Sequence, residues 1–396
     1  MSGLHAEKLA QAKTLVKQSG ADVWLTFVRE TAGGGDPVLP LLLDGGLTWQ
    51  SALLVTRSGR SIAVLGNYDA DPLVASGDWD EVIPYVQGIR EPLLAVLEKE
   101  CGQTPRIAVN FSVDDVKSDG LTHGMYLHLE ALLAGTRFAN ALESAEPIVL
   151  ALRGRKTPAE IARMRAALVE TDALFEEIAA FARIGTSERA VYDHVHHKIA
   201  ERGLGFSWDP AGDPIVNSGP HSMVGHGVPS AAIQLEAGHI FHVDLGIVKD
   251  GYSSDIQRCW YVSGGEGVPE DVTRALKAVL AAIDAGAREL KPGVAGWEVD
   301  SAARATLVQA GYDEYLHALG HQVGRVAHDG GGILGPRWER YGRTPDMPVE
   351  KDQVYTLELG VMVEGRGYLG LEEMVVVTAS GCEFLSQRQQ GMPLLG

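Results

Sequence analysis

A histidine-rich stretch in the last third of the chain decides the fold. It reads His317-Ala-Leu-Gly-His321-Gln-Val-Gly324-Arg-Val-Ala-His328-Asp329. Histidines and glycines at this spacing favour an irregular, closely packed segment over one face of a helix. Neutral imidazole is a common metal ligand, so the acidic residues of the flanking strands are its candidate partners.

An acidic residue interrupts a buried-strand sequence ahead of the histidines. Asp244 lies in Ile240-Phe-His-Val-Asp-Leu-Gly-Ile247, and burying a carboxylate is unfavourable unless it is paired or bound to a cation. Asp250-Gly251 is the signal of a two-residue hairpin loop. A hairpin closed there places Asp244 opposite Gln257 and makes Asp255 a diagonal neighbour on the same face. Two carboxylates that converge in this way repel each other unless a cation lies between them.

A second predicted hairpin, after the histidines, repeats this arrangement. Glu358 and Glu372 each lie in a strand-like sequence, and a three-residue loop centred on Gly365 would put them opposite one another. Four carboxylates and one imidazole are mostly hard oxygen ligands, which suit two divalent ions such as Mn²⁺, Co²⁺ or Zn²⁺. Two such ions about 3.5–4 Å apart can hold and deprotonate a water molecule for hydrolysis.

These motifs resemble the signature of proline-specific metallopeptidases of the creatinase, prolidase and aminopeptidase P family, which have the α+β pita-bread fold. The histidine-rich stretch carries the resemblance most specifically, and residues 216–226 resemble the family's upstream strand and loop. The resemblance covers residues from about 150 to 380. Among the family's members, the chain is most similar to a bacterial Xaa-Pro dipeptidase.

The resemblance implies five metal ligands, which fall in the family's order on this sequence. Asp255 and Glu372 would bridge two metal ions. Asp244 would bind one ion, and His321 and Glu358 would bind the other. Glu358 would also act as the general base on the attacking water.

The resemblance implies further roles for three histidines, which we assign to both catalysis and substrate binding. His226 and His317 would position the substrate, and His328 would stabilise the tetrahedral intermediate. We expect two other residues near these motifs, His242 and Tyr368, to be structural.

Two positions depart from the family pattern. The family usually has an arginine two residues before the last glutamate ligand, where this chain has Gly370. That arginine would support the ligands or recognise a carboxylate of the substrate, so which residue performs this role here is left open. Arg366 or Arg258 could substitute for it. Asp329 stands where glutamate is commoner. We expect Glu373, next to the last ligand, to be solvated.

Composition excludes several classes of protein. A formal charge of −18, from 34 basic and 52 acidic residues, repels phosphate backbones and anionic membranes, which argues against nucleic-acid and membrane partners. Three widely spaced cysteines without a CxxC motif argue against a disulfide framework and a thiolate zinc site, and favour a reducing cytoplasm. The sequence shows no apolar run of the ~20 residues needed to span a bilayer and no apolar signal core at its start.

The length of 396 residues predicts two domains, because a single hydrophobic core stops growing at roughly 250–300 residues. Residues 1–152 mix helices and strands, and match the family's α/β N-terminal creatinase-like domain only in size and rough pattern. A new helix is expected just after residue 156, with Thr157 as N-cap and Glu160 as its capping-box partner. The pita-bread catalytic domain is expected over residues 153–396, with helices near 158–183, 187–203, 268–290 and 296–310.

Three classes of function stay open at this point. We predict a two-metal Xaa-Pro dipeptidase, with an aminopeptidase acting on longer peptides as the alternative. A metal-dependent lyase or hydrolase of the same fold is the second class. A non-catalytic binding module is the third, and the presence of all five ligands counts against it. By family analogy we expect Mn²⁺ as the metal and a cytoplasmic homodimer.

Overall fold

The computed structural model describes residues 3–225 and 227–396. The chain divides into two compact units, residues 1–153 and 154–396. In the described part of the chain, no helix combines the length and apolarity needed to cross a bilayer.

The first unit is built on a mixed sheet. Its strands are β1 (Val23–Val28), β2 (Ser51–Thr56), β3 (Ser61–Gly66), β4 (Glu81–Tyr85), β5 (Ile107–Val109) and β6 (Leu142–Ser144). They lie in the order β4-β3-β2-β1-β5-β6, with β1–β2 and β2–β3 antiparallel and the other neighbours parallel. Strands β2 and β3 form an antiparallel hairpin.

Helices cover both faces of this sheet. They are α1 (Leu4–Ser19), α2 (Leu39–Leu42), α3 (Asn67–Ser76), α4 (Arg90–Glu100), α5 (His123–Leu133) and α6 (Glu146–Gly154), with a 3₁₀ turn at Thr31–Gly33. Strand β1 shows why the sheet needs two layers: Trp24 and Val28 belong to one core cluster, and Val23, Leu25 and Phe27 belong to another. A strand buried on both faces has a nearly continuous apolar sequence.

The second unit contains the predicted metal ligands. Its helices are α7 (Pro158–Phe181), α8 (Glu188–Glu201), α9 (Glu270–Glu289) and α10 (Gly296–Gln309), with 3₁₀ turns at Glu339–Tyr341 and Thr344–Asp346. The predicted start of α7 is confirmed, since the Thr157 side chain accepts from the Glu160 amide and the Glu160 carboxylate accepts from the Thr157 amide. This reciprocal pair satisfies two backbone donors at the start of the helix.

Twelve strands of this unit are described, most of them in one large sheet. They are β7 (Gly205–Phe206), β8 (Ile215–Ser218), β9 (Ile240–Leu245), β10 (Ile247–Lys249), β11 (Tyr252–Ser253), β12 (Ile256–Val262), β13 (Gly320–His321), β14 (Ile333–Leu334), β15 (Val354–Val363), β16 (Gly367–Val377), β17 (Cys382–Phe384) and β18 (Leu394–Leu395). The large sheet runs β15-β16-β12-β9-β8, with β17 beside β16 and β18 beside β12.

Helix α9 packs against an apolar part of one face of the large sheet. Leu357 of β15 and Leu371 of β16 share one core cluster with Val279, Ala282 and Ile283 of α9. Because side chains alternate along a strand, residues next to these leucines in sequence, including Glu358 and Glu372, point to the opposite face. The packing of α9 therefore determines which face is left for the functional residues.

Candidate metal centre

Two tight turns set the register of the strands that carry the acidic residues. In the first hairpin, Val248 pairs with Ser253 and Lys249 with Tyr252 around the Asp250-Gly251 loop. Both loop residues have positive φ, 50° and 75°, as a type I′ turn requires. In the second hairpin, residues 364–366 form the loop, centred on Gly365 with φ of 70°. Both predicted hairpin registers are confirmed.

These registers align one row of polar residues across four strands. Asp244 of β9 pairs with Gln257 of β12, Gln257 with Glu372 of β16, and Glu372 with Glu358 of β15. Directly paired residues point to the same face of a sheet. Asp255 precedes Gln257 by two residues and therefore joins them on that face. The pair Gln257–Glu372 is the only paired position between β12 and β16 among the described residues.

His321 enters this face from the short strand β13. A glycine is required just before it, because a Cβ added at Gly320 would lie 2.0 Å from the Thr356 carbonyl oxygen. His321 Nε2 lies 3.6 Å from Asp255 Oδ2, 3.7 Å from Glu358 Oε1 and 4.0 Å from Glu372 Oε1. Possible ligand atoms of Asp255, His321 and Glu372 all lie within 4.8 Å of one another.

The electrostatics of this cluster favour a cation. Burial raises the pKa of Asp244, Asp255, Glu358 and Glu372 well above the usual carboxyl range, and the neighbouring carboxylates raise it further. Asp244 Oδ1 is buried and has no hydrogen-bond partner among the described residues. Burial, followed by the nearby His328, lowers the pKa of His321 to about 3, which leaves a neutral imidazole to act as a ligand. Hard oxygens with one imidazole fit divalent ions.

The three other predicted histidines differ in what the structure says of them. His328 is exposed, and its ring stands edge-on to the His321 ring with centroids 4.2 Å apart. His317 is also exposed, and its ring centroid lies 5.7 Å from that of Tyr315. His226 lies outside the described residues. The roles assigned to all three remain predictions.

Buried polar groups hold the backbone next to His317. Arg304 Nη2 donates to the His317 carbonyl at 2.7 Å, and Asp300 Oδ1 accepts from the Leu319 amide at 3.1 Å. Asp300 and Arg304 are themselves paired one helical turn apart on α10. Downstream, the Asp329 carboxylate accepts from the Arg325 amide at 2.6 Å. These contacts give the irregular histidine segment a defined path.

Neither arginine suggested as a substitute at position 370 donates to a ligand carboxylate in the described hydrogen bonds. Arg258 points to the opposite face of the sheet, where its Nη2 lies 3.2 Å from Glu373 Oε2. Arg366 binds Asp271 and the Gly238 carbonyl. The prediction that Glu373 is solvated is wrong, because the alternation of β16 places it, fully buried, against Arg258.

Sequence reasoning missed the polar groups that contact the ligands. Gln257 Nε2 donates to Glu358 Oε2 at 3.2 Å and to Glu372 Oε2 at 3.1 Å, and its Oε1 lies 3.0 Å from His242 Nε2. Tyr368 stands edge-on to His242, with ring centroids 5.0 Å apart. The signal for Gln257 was present in the hairpin register, which placed it directly opposite Asp244.

Known proteins are similar to this chain over most of its length. The model of metallopeptidase family M24 matches residues 162–379, more than half of the chain. An Xaa-Pro dipeptidase of Pyrococcus furiosus is 28% identical over 327 residues, 79% of this chain and 86% of that protein.

Solved structures match along nearly the whole chain. The dipeptidase PepE from Mycobacterium ulcerans is 25% identical, with a TM-score of 0.73 over 100% of this chain and 98% of that one. The X-Pro aminopeptidase from Thermotoga maritima is 22% identical, with a TM-score of 0.69 over 98% and 99%. The predicted α+β pita-bread fold is confirmed. The chain belongs to metallopeptidase family M24.

Proposed function

We propose that the chain is an Xaa-Pro dipeptidase that uses two divalent metal ions. The observation that carries the proposal is the convergence of acidic side chains from two hairpins on His321, on one face of the sheet. The similarity to the Xaa-Pro dipeptidase of Pyrococcus furiosus, over 79% of this chain, supports the substrate class.

The proposed ligands are the five that the family resemblance implies: Asp244, Asp255, His321, Glu358 and Glu372. When bound, the ions would supply Lewis-acid polarisation of the scissile carbonyl and would lower the pKa of a water molecule. Asp255 and Glu372 are the proposed bridging ligands. Their possible ligand atoms already lie within 4.8 Å of each other, which supports that role.

The protein's own groups would handle the protons and the substrate. Glu358 takes a proton from the attacking water and passes it to the departing proline nitrogen, so that the C–N bond breaks to give a free acid and a secondary amine. His328 donates a hydrogen bond to the developing oxyanion. His317 and His226 orient the peptide. An Xaa-Pro bond has no amide N–H and carries a bulky ring, so it needs a shaped site.

The test compares an Xaa-Pro dipeptide with the matching Xaa-Pro-Xaa tripeptide, using the Mn²⁺-reconstituted protein and a chelator control. We expect hydrolysis of the dipeptide alone, and loss of hydrolysis with chelator and in Glu358→Ala. Preference for the tripeptide would identify an aminopeptidase instead. If neither peptide is cut while two metal ions are bound, a lyase or another hydrolase of the same fold replaces the peptidase.

We further propose Mn²⁺ as the metal and a cytoplasmic homodimer without a nucleic-acid partner. The net charge of −18 supports the last point, because it repels phosphate backbones. We also propose a creatinase-like N-terminal domain over residues 1–152, ahead of the catalytic domain over 153–396. Light scattering of the purified protein tests the dimer, and metal analysis of protein purified without added metal tests Mn²⁺.

A further inference from the structure

We propose that Gln257 is a positioning residue for Glu358 and Glu372, and that His242 fixes the orientation of its amide. This role rests on the proposed metal centre. It gives the chain a neutral hydrogen-bond donor next to the ligands, beside the position where the family usually has an arginine.

Gln257 lies at the centre of the polar row. It is paired with Asp244 on one side and with Glu372 on the other, and it is 5% exposed. An amide nitrogen has two hydrogens that can reach two different acceptors. Here they reach Glu358 and Glu372, which stand directly opposite each other and repel when both are ionised. One amide therefore holds one oxygen of each glutamate.

The other end of the amide is also bound, which selects its orientation. An amide oxygen can only accept a hydrogen bond, so His242 Nε2 carries the proton in the 3.0 Å contact with Gln257 Oε1. His242 is buried, and a neutral ring that donates from Nε2 has only an acceptor at Nδ1. With the oxygen of Gln257 bound to His242, its two N–H groups are directed at the glutamates.

Asn217 lies beside His242 and is itself hydrogen-bonded to residues just after strand β8. Its amide nitrogen donates to Ser222 Oγ at 3.0 Å and to the Met223 carbonyl at 2.9 Å. Asn217 and His242 are paired residues of β8 and β9, so rigid strands hold both of them. The position of Gln257 is therefore defined by the sheet and not by a mobile loop.

The packing at Gly370 leaves little room for another donor on this side of Glu372. A Cβ added at Gly370 would lie 2.4 Å from Tyr368 Cε1 and 2.9 Å from Gln257 Oε1. The Tyr368 ring and the Gln257 amide therefore fill the space that a side chain at position 370 would enter. Groups that orient metal ligands typically contribute 10- to 100-fold in metal affinity or activity.

The experiment is a calorimetric titration of the metal-free protein with Mn²⁺. We compare Gln257→Leu, which removes the donor, with Gln257→Asn, which keeps an amide but is one methylene too short to reach both glutamates. The matched control is Gln353→Leu. Gln353 is a similarly buried glutamine of the same unit, and it bonds to Glu350 and Tyr355.

We expect both Gln257 variants to bind at least one Mn²⁺ ion roughly 10- to 100-fold more weakly than wild type. The control should stay within about threefold, a margin set by the usual scatter of single-site effects. The Mn²⁺ concentration for half-maximal activity should rise by the same factor. Thermal unfolding of the metal-free variants separates weaker Mn²⁺ binding from misfolding, since the Tm of the Gln257 variants should match that of the Gln353→Leu control.

Wild-type Mn²⁺ affinity in both Gln257 variants would overturn the positioning role. An equal loss of affinity in the Gln353→Leu control would overturn it as well, because the effect would then be general. If the wild-type protein itself bound no divalent ion, the proposed metal centre would fall, and the role of Gln257 with it.

Discussion

A single methyl group at Gly370 tests whether the packing around the ligands is as tight as the structure shows. Gly370 is paired with Gly360 across the β15–β16 hairpin, and the Tyr368 ring lies over both. In Gly370→Ala the new Cβ would stand 2.4 Å from Tyr368 Cε1, about 1.1 Å short of a normal carbon–carbon contact. The ring has little room to move toward Gly360, because it already fills the space where a Cβ of residue 360 would lie, 2.4 Å from Tyr368 Cζ.

Overpacking of this kind usually lowers stability by about 1–3 kcal/mol. We expect that loss in the free energy of unfolding of Gly370→Ala, measured by urea denaturation with chelator present. In a Tyr368→Ala background the same substitution should be nearly neutral, which gives a coupling energy above about 1 kcal/mol. Gly381→Ala is the control, since its Cβ would meet nothing within 4 Å. A cost that is unchanged in the Tyr368→Ala background would refute the reasoning.

Four further predictions follow from the same contacts. Asp255→Ala should abolish both Mn²⁺ binding and hydrolysis, and a variant that still binds two ions and cleaves peptides would contradict the ligand assignment. Without metal, the raised pKa of the four buried carboxyls means that the native state holds more protons than the unfolded state above about pH 4. The free energy of unfolding should therefore fall between about pH 4 and 7, by roughly 1.4 kcal/mol per pH unit for each proton retained. Urea denaturation at constant excess chelator measures this free energy. A value that does not change with pH would argue against the raised pKa of these carboxyls. Arg258→Met should lower the free energy of unfolding by about 3–5 kcal/mol, because it leaves Glu373 buried without its charged partner. The double variant, with methionine at both 258 and 373, should recover most of this loss. Arg304→Met removes the donor to the His317 carbonyl, so KM should rise while calorimetric Mn²⁺ affinity stays unchanged.

The register of each of the two hairpins could be predicted, because turn chemistry and strand periodicity are local. Asp250-Gly251 and Gly365 each fix a loop length, and the period of two then decides which residues share a face. The pairing of Asp244 with Gln257 and that of Glu358 with Glu372 follow from these two turns alone. Each hairpin is a short-range structure, so a few neighbouring residues determine its register.

Contacts between the hairpins could not be predicted in the same way. Gln257 and Glu372 are 115 residues apart, and no turn signal links them. The pairing of β12 with β16 brings the amide to the glutamates on one face and brings Arg258 to Glu373 on the other. The mixed parallel and antiparallel order of the first unit's sheet is a long-range property of the same kind. Local patterns predicted that this unit mixes helices and strands, but not the order of all the strands in its sheet.

The single paired position between β12 and β16, Gln257 with Glu372, bears on how the two hairpins are held together. Long antiparallel ladders hold each hairpin together, whereas the described backbone joins the two hairpins at the pair Gln257–Glu372 and at the 2.8 Å hydrogen bond from the Ile240 amide to the Arg366 carbonyl. The row that contains Asp244, Gln257, Glu372 and Glu358 therefore crosses the boundary between β12 and β16. An ion bound by acidic residues of both hairpins would add a further link across this boundary and would resist sliding of one hairpin against the other.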